Sequence, residues 1–311
     1  MSRAGALRLA LAAWLALAPG CGPSAEGYPY LRGPGCEDGC DPDAGTDAGA
    51  AGDTGPPPIP DEPLEAWDVA GAGPLSGIFA VEVTTPARAV IDIEVRQIYR
   101  MRVLQRGADV RLRISPCRFS LPTIPGVATL SIPPRLEEVL RRIAVEDEGP
   151  FLSMADPVGA TITTPTAWVV LGADLADPVA DPLPTADMLE TALDEDMDGQ
   201  PGVTIAAEAV ICRMPEEAYA ALRTSVTMDG TVEDLDAIRG GVEVTLEQSI
   251  LGISDRCLSA AATLDIEVLE GSTFTALRVG DARDLDANGN VSCPEIAWYA
   301  PELFGAFWSG P

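Results

Sequence analysis

The sequence predicts a mainly β fold, an antiparallel barrel or sandwich with short helices, preceded by a disordered acidic tether. Three observations lead to this prediction. Apolar and polar residues alternate along several segments of the body, as in strands with one buried face. Turn residues separate these segments, which favours antiparallel hairpins. The stretch 33–63 is rich in Gly, Pro, Asp and Ala, a composition that cannot bury enough apolar surface to fold.

The clearest strand pair is a hairpin around Gly107. Along 91–103 the odd positions are mostly apolar and the even positions mostly charged, and Val110, Leu112 and Ile114 continue the alternation after the turn. Further strands are predicted near 78–84, 160–172, 203–212, 218–228, 242–247, 264–268 and 272–279.

Helices are few. Pro134 begins one, because an apolar stripe at helical spacing follows it at Leu136, Val139, Leu140 and Ile143. The aromatic-rich segment 294–311 is expected to form a short helix that docks on the sheet or plugs the mouth of a barrel.

The composition excludes several kinds of chemistry. The net charge is −28, all 20 basic residues are arginine, and there is no histidine. Histidine-based catalysis, Schiff-base lysines and histidine metal ligands are therefore excluded, and no other nucleophile motif is recognised, so the protein is not expected to be an enzyme. The acidity also argues against nucleic-acid binding, which needs a basic surface.

Residues 1–20 have the features of an export signal. Arg3 and Arg8 precede a short apolar run, and Ala18-Pro19-Gly20-Cys21 places small residues before a cysteine. This pattern resembles the lipobox of bacterial lipoproteins, in which the cysteine is lipidated. A plain secretory signal is the alternative. The resemblance implies lipidation at Cys21, and Gly22 after it implies anchoring in the outer membrane, at its periplasmic face or the cell surface.

The predicted domain organisation follows from this signal. Residues 1–20 form the signal peptide, 21–66 a lipidated Pro/Gly/Asp-rich tether, and 67–311 one β-rich domain. The membrane is therefore a partner through the lipid anchor, while a protein or small-molecule partner is left unidentified.

Seven cysteines are an odd number, and lipidation of Cys21 leaves six that can pair in an oxidising compartment. We expect a local pair within the tether, a pair flanking the last hairpin region, and a third pair by elimination. These pairs are Cys36–Cys40, Cys257–Cys293 and Cys117–Cys212.

Residues 284–295 resemble an EF-hand calcium loop. Oxygen-bearing side chains fall at alternate positions, Gly289 permits the sharp turn, and Glu295 can close the shell with two oxygens. The implied calcium ligands are Asp284, Asp286, Asn288, Asn290, Ser292 and Glu295. The spacing from Ser292 to Glu295 is also that of a helix capping box, and both interpretations can hold together.

A second acidic loop repeats the first half of this pattern. Asp194, Asp196 and Asp198 are followed by Gly199, which resembles the short DxDxDG loops of extracellular calcium modules. Glu208 is a candidate late carboxylate. Two interpretations stay open, a second metal site and an acidic surface turn.

Two function classes remain. The first is an anchored lipoprotein whose calcium-binding β domain has a binding or structural role. The second is a lipocalin-like carrier with an apolar ligand inside the barrel.

Overall fold

A computed structural model describes residues 69–88, 91–121, 123–124, 128–209, 216–254, 266–280, 283–285 and 290–309. These residues form a mainly antiparallel β structure with two short helices, which confirms the predicted fold class. The first half contains β1 (Gly77–Arg88), β2 (Asp92–Arg106), β3 (Asp109–Ser120), β4 (Thr123–Ile124), β5 (Ala128–Ser131), α1 (Pro134–Arg142), β6 (Val145–Gly149), β7 (Thr161–Thr163) and β8 (Ala167–Leu171). The second half contains β9 (Val203–Ala209), β10 (Glu216–Asp234), β11 (Ala237–Ile253), β12 (Glu267–Val268), β13 (Thr273–Val279) and α2 (Cys293–Phe304), followed by a 3₁₀ turn (Ala306–Ser309).

All of these strands belong to one sheet. Its order is β4-β5-β9-β10-β11-β13-β1-β2-β3-β6, and β12 pairs with β1. Strand β10 is long enough to pair with β7, β8 and β9 one after another along one edge. Pro165 lies between β7 and β8, where a residue without a backbone N–H interrupts the ladder.

The predicted hairpin around Gly107 is confirmed. Strands β2 and β3 pair from Arg106↔Asp109 onward, and Gly107 has a φ of +69°, which glycine adopts without strain. The odd positions Tyr99, Met101 and Val103 face the main core, as the alternation predicts. The predicted strands near 78–84, 203–212, 218–228, 242–247 and 272–279 correspond to β1, β9, β10, β11 and β13.

The sheet curls so that two groups of strands enclose this core. We call these groups its two wings, one formed by β1, β2 and β3 and the other by β10, β11 and β13. Apolar side chains of β1, β2 and β3 pack against those of β10, β11 and β13, with Phe79, Met228 and Phe274 among the buried residues. The wings meet directly after β6. There, Ser153 donates its N–H to the Thr161 carbonyl, and Thr163 donates to the Phe151 carbonyl. Strand pairing therefore continues from one wing to the other at this end of the molecule.

The opposite face of β1 and β2 is also covered, whereas the alternation alone predicts a polar exposed face. Ala80 and Ile98 pack there against Ile296 and Ala300 of α2. The C-terminal segment therefore docks on the sheet, as expected. Trp308 in the 3₁₀ turn is buried and donates its indole N–H to Glu82 of β1 at 2.7 Å.

A disulfide between Cys117 and Cys293 joins β3 to the start of α2. The predicted pairs Cys257–Cys293 and Cys117–Cys212 are therefore wrong. The partner of Cys117 depends on a bulge in β3. Ile98 pairs with Arg118 and Tyr99 pairs with Pro116, so Cys117 is the extra residue between them. The bulge presents Cys117 to the helix that covers this face. Cys21, Cys36, Cys40, Cys212 and Cys257 lie outside the described residues.

Helix α1 begins at Pro134, as predicted, and buries Leu136 and Leu140 against Val203 of β9. None of the helices within the described ranges is long and apolar enough to cross a bilayer. Residues 1–68, which contain the predicted signal and tether, lie outside those ranges, as do residues 264 and 265 of the predicted strand near 264–268, whose last two residues form β12.

Candidate metal centre

The acidic loop at Asp194 ends a long irregular segment between β8 and β9. The two ends of this segment, Gly172 and Gly202, meet beside Ala220 of β10. A Cβ on either glycine would lie 2.5 Å from the Ala220 carbonyl oxygen, and both have positive φ, so only glycine fits. Leu193 donates its N–H to the Gly172 carbonyl and accepts the N–H of Gly202 at its own carbonyl, both at 3.0 Å. The segment is thus a closed loop whose neck is fixed to the sheet.

Arg223 holds the middle of this segment against β10. Its side chain pairs with Glu247 of β11, and one guanidinium nitrogen donates to the carbonyls of Pro178, Val179 and Asp181 at 2.7 to 3.3 Å. A buried arginine with carbonyl acceptors is a strong anchor because charged hydrogen bonds exceed neutral ones in strength. The loop therefore has a fixed course although it contains no regular secondary structure.

The carboxylate of Asp194 organises the turn that follows it. One oxygen accepts the N–H of Asp198 at 3.0 Å and the other accepts the N–H of Gly199 at 2.9 Å. Gly199 has a φ of +86°, so the chain can turn sharply there. This turn brings the side chains of Asp194, Asp196 and Asp198 together, with one ligand oxygen of each lying within 4.8 Å of the others.

Asp196 is the buried member of the triad. Its side chain is 2 % exposed, and one carboxylate oxygen accepts the N–H of Thr204 at 2.8 Å. The other oxygen, Oδ1, is buried and has no hydrogen-bond partner. An ionised oxygen without a partner in a buried position is costly unless a cation or donor meets it. Oδ1 is therefore the strongest sign that this cluster accommodates an ion.

Asp198 completes the cluster at the surface. Its side chain accepts the N–H of Gln200 at 2.8 Å and the hydroxyl of Thr204 at 2.5 Å. An ionised carboxylate has about four lone-pair sites, so these bonds leave room for a metal ligand bond on each aspartate.

The electrostatic environment of the loop disfavours three ionised carboxylates without a bound cation. Burial raises the pKa of Asp196, and the carboxylates of Asp198 and Asp194 raise it further, while the Thr204 N–H acts against them. Burial also raises the pKa of Glu195, whose carboxylate accepts the N–H of Gly172 at 2.7 Å. A cation would relieve this repulsion. Since the donors are all oxygens, the triad suits a hard cation rather than a soft metal.

The spacing of the three aspartates is visible in the sequence, but their supporting residues are not. Thr204, Glu195 and Arg223 act through tertiary contacts that no local pattern reveals. Glu208, the candidate late carboxylate, is exposed on β9 and does not belong to the cluster.

The predicted calcium loop at 284–295 is described only in part. Asp286 and Asn288 lie outside the described residues. Glu295 is fully buried, and its carboxylate accepts the N–H groups of Leu285 at 2.5 Å and Ser292 at 2.6 Å. The second of these bonds is one arm of a capping box at the start of α2.

Ser292 is also buried and forms the other arm of this capping box with Glu295. Asp284 and Asn290 lie on the approach to this helix and are half-buried. The structure therefore shows the capping role of Glu295, and calcium binding at this loop remains a prediction.

A small apolar pocket, partly open to solvent, lies between strands of the curled sheet, with a volume of about 60 Å³. Tyr99, Phe119 and Val226 contribute to its walls from β2, β3 and β10, and Leu140 of α1 and Ile143 directly after α1 also line it.

Comparison with known proteins gives no relative from which to assign this centre. The chain matches no protein-family model, no curated protein and no solved structure.

Proposed function

We propose that the protein is an exported lipoprotein, anchored through Cys21, whose β domain binds calcium at the Asp194–Asp198 loop and has a structural or binding role. The observation that carries the calcium site is the buried, unpartnered Oδ1 of Asp196 among three carboxylates that lie within 4.8 Å of one another. Repulsion among these groups and the cost of the unpartnered oxygen both favour a bound cation.

Calcium is the cation that this arrangement favours. It accepts six to eight oxygen ligands in flexible geometry, and carboxylates, main-chain carbonyls and water can supply them at a surface loop. Magnesium requires a tighter octahedral shell and keeps most of its water. With three carboxylates and one partly exposed face, we expect an affinity in the range of extracellular calcium modules, about 10⁻⁴ to 10⁻³ M.

The exported location rests on the N-terminal sequence and on cysteine chemistry. The lipobox-like residues before Cys21 and the acidic tether after it suit a lipid-anchored domain. The buried disulfide Cys117–Cys293 supports an oxidising compartment, because disulfides are rare in cytosolic proteins. Mass spectrometry of membrane-extracted protein should find an acylated cysteine at position 21. An unmodified N-terminus at or before Gly20 would contradict the anchor.

The loop at 284–295 is a second proposed calcium site. Its support is that Ser292 and Glu295 are both buried and both stand at predicted ligand positions. This site is the weaker of the two, since both oxygens of Glu295 already accept backbone N–H groups.

The carrier alternative receives less support from the interior. Ligand pockets of carriers and enzymes are about 300 to 1,000 Å³, whereas the apolar pocket of the curled sheet is about 60 Å³. A bulky apolar ligand would therefore require the domain to open.

The test is calorimetric titration of the full-length chain with calcium, comparing wild type with Asp196→Asn. We expect wild type to bind in the stated range and the variant to lose the Asp194–Asp198 site. Asp187→Asn is the matched control, because Asp187 is exposed in the same segment and lies outside the triad. Equal titrations of wild type and Asp196→Asn would refute the assignment.

A further inference from the structure

Met197 has an unusual backbone conformation. Among the residues that the structure describes, it is the only one other than glycine with a positive φ, at +56°. This left-handed conformation is unfavourable for a residue with a side chain, because the Cβ approaches the following carbonyl oxygen. Contacts with neighbouring groups must therefore hold Met197 in it.

The peptide group that follows Met197 is held at both ends. The side chain of Met197 contributes little, since the residue is 59 % exposed. The carbonyl oxygen of the peptide accepts a guanidinium N–H of Arg135 at 2.9 Å, and its N–H, which belongs to Asp198, donates to Asp194 at 3.0 Å. Because the peptide is planar, the two bonds fix its orientation and with it the ψ angle of Met197.

This peptide connects two of the proposed calcium ligands. Met197 directly follows Asp196 and directly precedes Asp198, so its φ and ψ set the direction of one side chain relative to the other. Asp196 is itself held by the Thr204 N–H, and its buried Oδ1 accepts no hydrogen bond. If the peptide rotated by half a turn, the Met197 carbonyl would point toward the Asp194 carboxylate, and the Asp198 N–H would leave it. The loop would then lose the arrangement in which the three carboxylates meet.

Arg135 reaches the loop from a separate element. It lies in the first turn of α1, which packs against β9 through Leu136 and Leu140. Within the described part of the chain Arg135 forms no ion pair with a carboxylate, and its guanidinium bonds to the Met197 carbonyl instead. A charged donor makes a stronger hydrogen bond than a neutral one, so this contact suits a peptide that must be held in one orientation.

We propose that Arg135 is a positioning residue for calcium at the Asp194–Asp198 loop, because it holds the Met197 peptide in the orientation that brings the three aspartates to one ion. This proposal rests on the proposed function, since it needs a cation at that loop. A guanidinium close to the site also has an opposite effect, because its positive charge repels calcium. Positioning and charge therefore predict changes of opposite sign when Arg135 is replaced.

The first variant is Arg135→Met, in which an unbranched side chain of similar helix propensity replaces the guanidinium. Calorimetric titration of the full-length chain should show calcium binding about 3-fold to 10-fold weaker than in wild type, the range that one hydrogen bond supports. Arg141→Met is the matched control, because Arg141 pairs with Glu137 within the same helix at 3.3 Å. The control should bind calcium as wild type does.

A second variant separates positioning through Met197 from a general loosening of α1. Glycine adopts positive φ as readily as negative φ, so Met197→Gly removes the need for an outside contact to hold this conformation, while Asp194 can still accept the Asp198 N–H. In the Met197→Gly protein, adding Arg135→Met should therefore weaken calcium binding by less than about 2-fold. Wild type, the two single variants and the double variant form a double-mutant cycle.

The outcomes distinguish this proposal from the proposed function. Calcium binding by Arg135→Met that is as tight as in wild type, or tighter, would overturn the positioning role and leave the calcium site standing. An equal loss with and without Met197→Gly would overturn the role of the Met197 peptide, and the same loss in Arg141→Met would do so too. Failure of wild type to bind calcium would overturn both proposals.

Discussion

Replacing Asp196 with asparagine should make the protein less stable than wild type in calcium but not in EGTA. The substitution keeps the shape of the side chain and one oxygen for the Thr204 N–H. It removes the negative charge of the carboxylate, whose buried oxygen Oδ1 accepts no hydrogen bond. In EGTA the variant should therefore be at least as stable as wild type, and in calcium it should be less stable.

The magnitudes follow from the geometry and from mass action. Two unit charges about 4.8 Å apart repel by about 1 kcal/mol even when screened as in water, so removing one charge from the triad relieves at least this much. Calcium at about ten times its dissociation constant stabilises the folded wild type by about 1.4 kcal/mol. In domains of about 150–250 residues this corresponds to a rise in Tm of about 3 to 6 °C.

The assay is thermal unfolding by calorimetry, with wild type, Asp196→Asn and Asp187→Asn each in calcium and in EGTA. Wild type and the Asp187 variant should show the rise, and Asp196→Asn should show little of it. An equal rise in all three proteins would refute the role of Asp196. A variant less stable than wild type in EGTA would refute the argument from repulsion.

Three further predictions concern pH, the disulfide and the helix cap. The raised pKa of Asp196 means that the folded state holds this proton more tightly than the unfolded state. In EGTA its contribution to stability should therefore increase as pH falls through the raised pKa toward the unfolded value of 3.8. The calcium-induced rise in Tm should shrink over the same fall in pH because protons compete with calcium, and melts across this range check both signs. Peptide mapping without reduction should recover Cys117 linked to Cys293, and replacing both by serine should cost about 2 to 5 kcal/mol in denaturant unfolding; free thiols at both positions would contradict the pairing. Glu295→Gln should cost about 1 to 3 kcal/mol in calcium-free denaturant unfolding, because a glutamine oxygen cannot accept both N–H groups that the buried carboxylate accepts; an unchanged midpoint would contradict the structure of the cap.

The fold class and the hairpins could be predicted because they depend on local patterns. Alternation along 91–103 specifies one face of β2, and Gly107 supplies the turn, so the pairing of β2 with β3 follows from neighbouring residues. The covering of the second face by α2 could not be predicted, because it depends on where a distant segment docks. The disulfide error has the same origin, since a one-residue bulge decides that Cys117 faces that helix.

The candidate site was predictable in its ligands but not in its surroundings. The alternate spacing of Asp194, Asp196 and Asp198 before Gly199 is visible in the sequence. The burial of Asp196 is not, because it depends on the neck at Gly172 and Gly202 against β10. The same tertiary contacts bring α1 to the loop, and no sequence pattern indicates that Arg135 binds the carbonyl of Met197.

The central claim is that Asp194, Asp196 and Asp198 hold calcium, and the most direct measurement is an anomalous difference map from crystals grown with calcium or soaked with a lanthanide. We predict a peak about 2.3 to 2.6 Å from a carboxylate oxygen of each aspartate, including Oδ1 of Asp196. A well-ordered loop with no peak at millimolar calcium would contradict the claim.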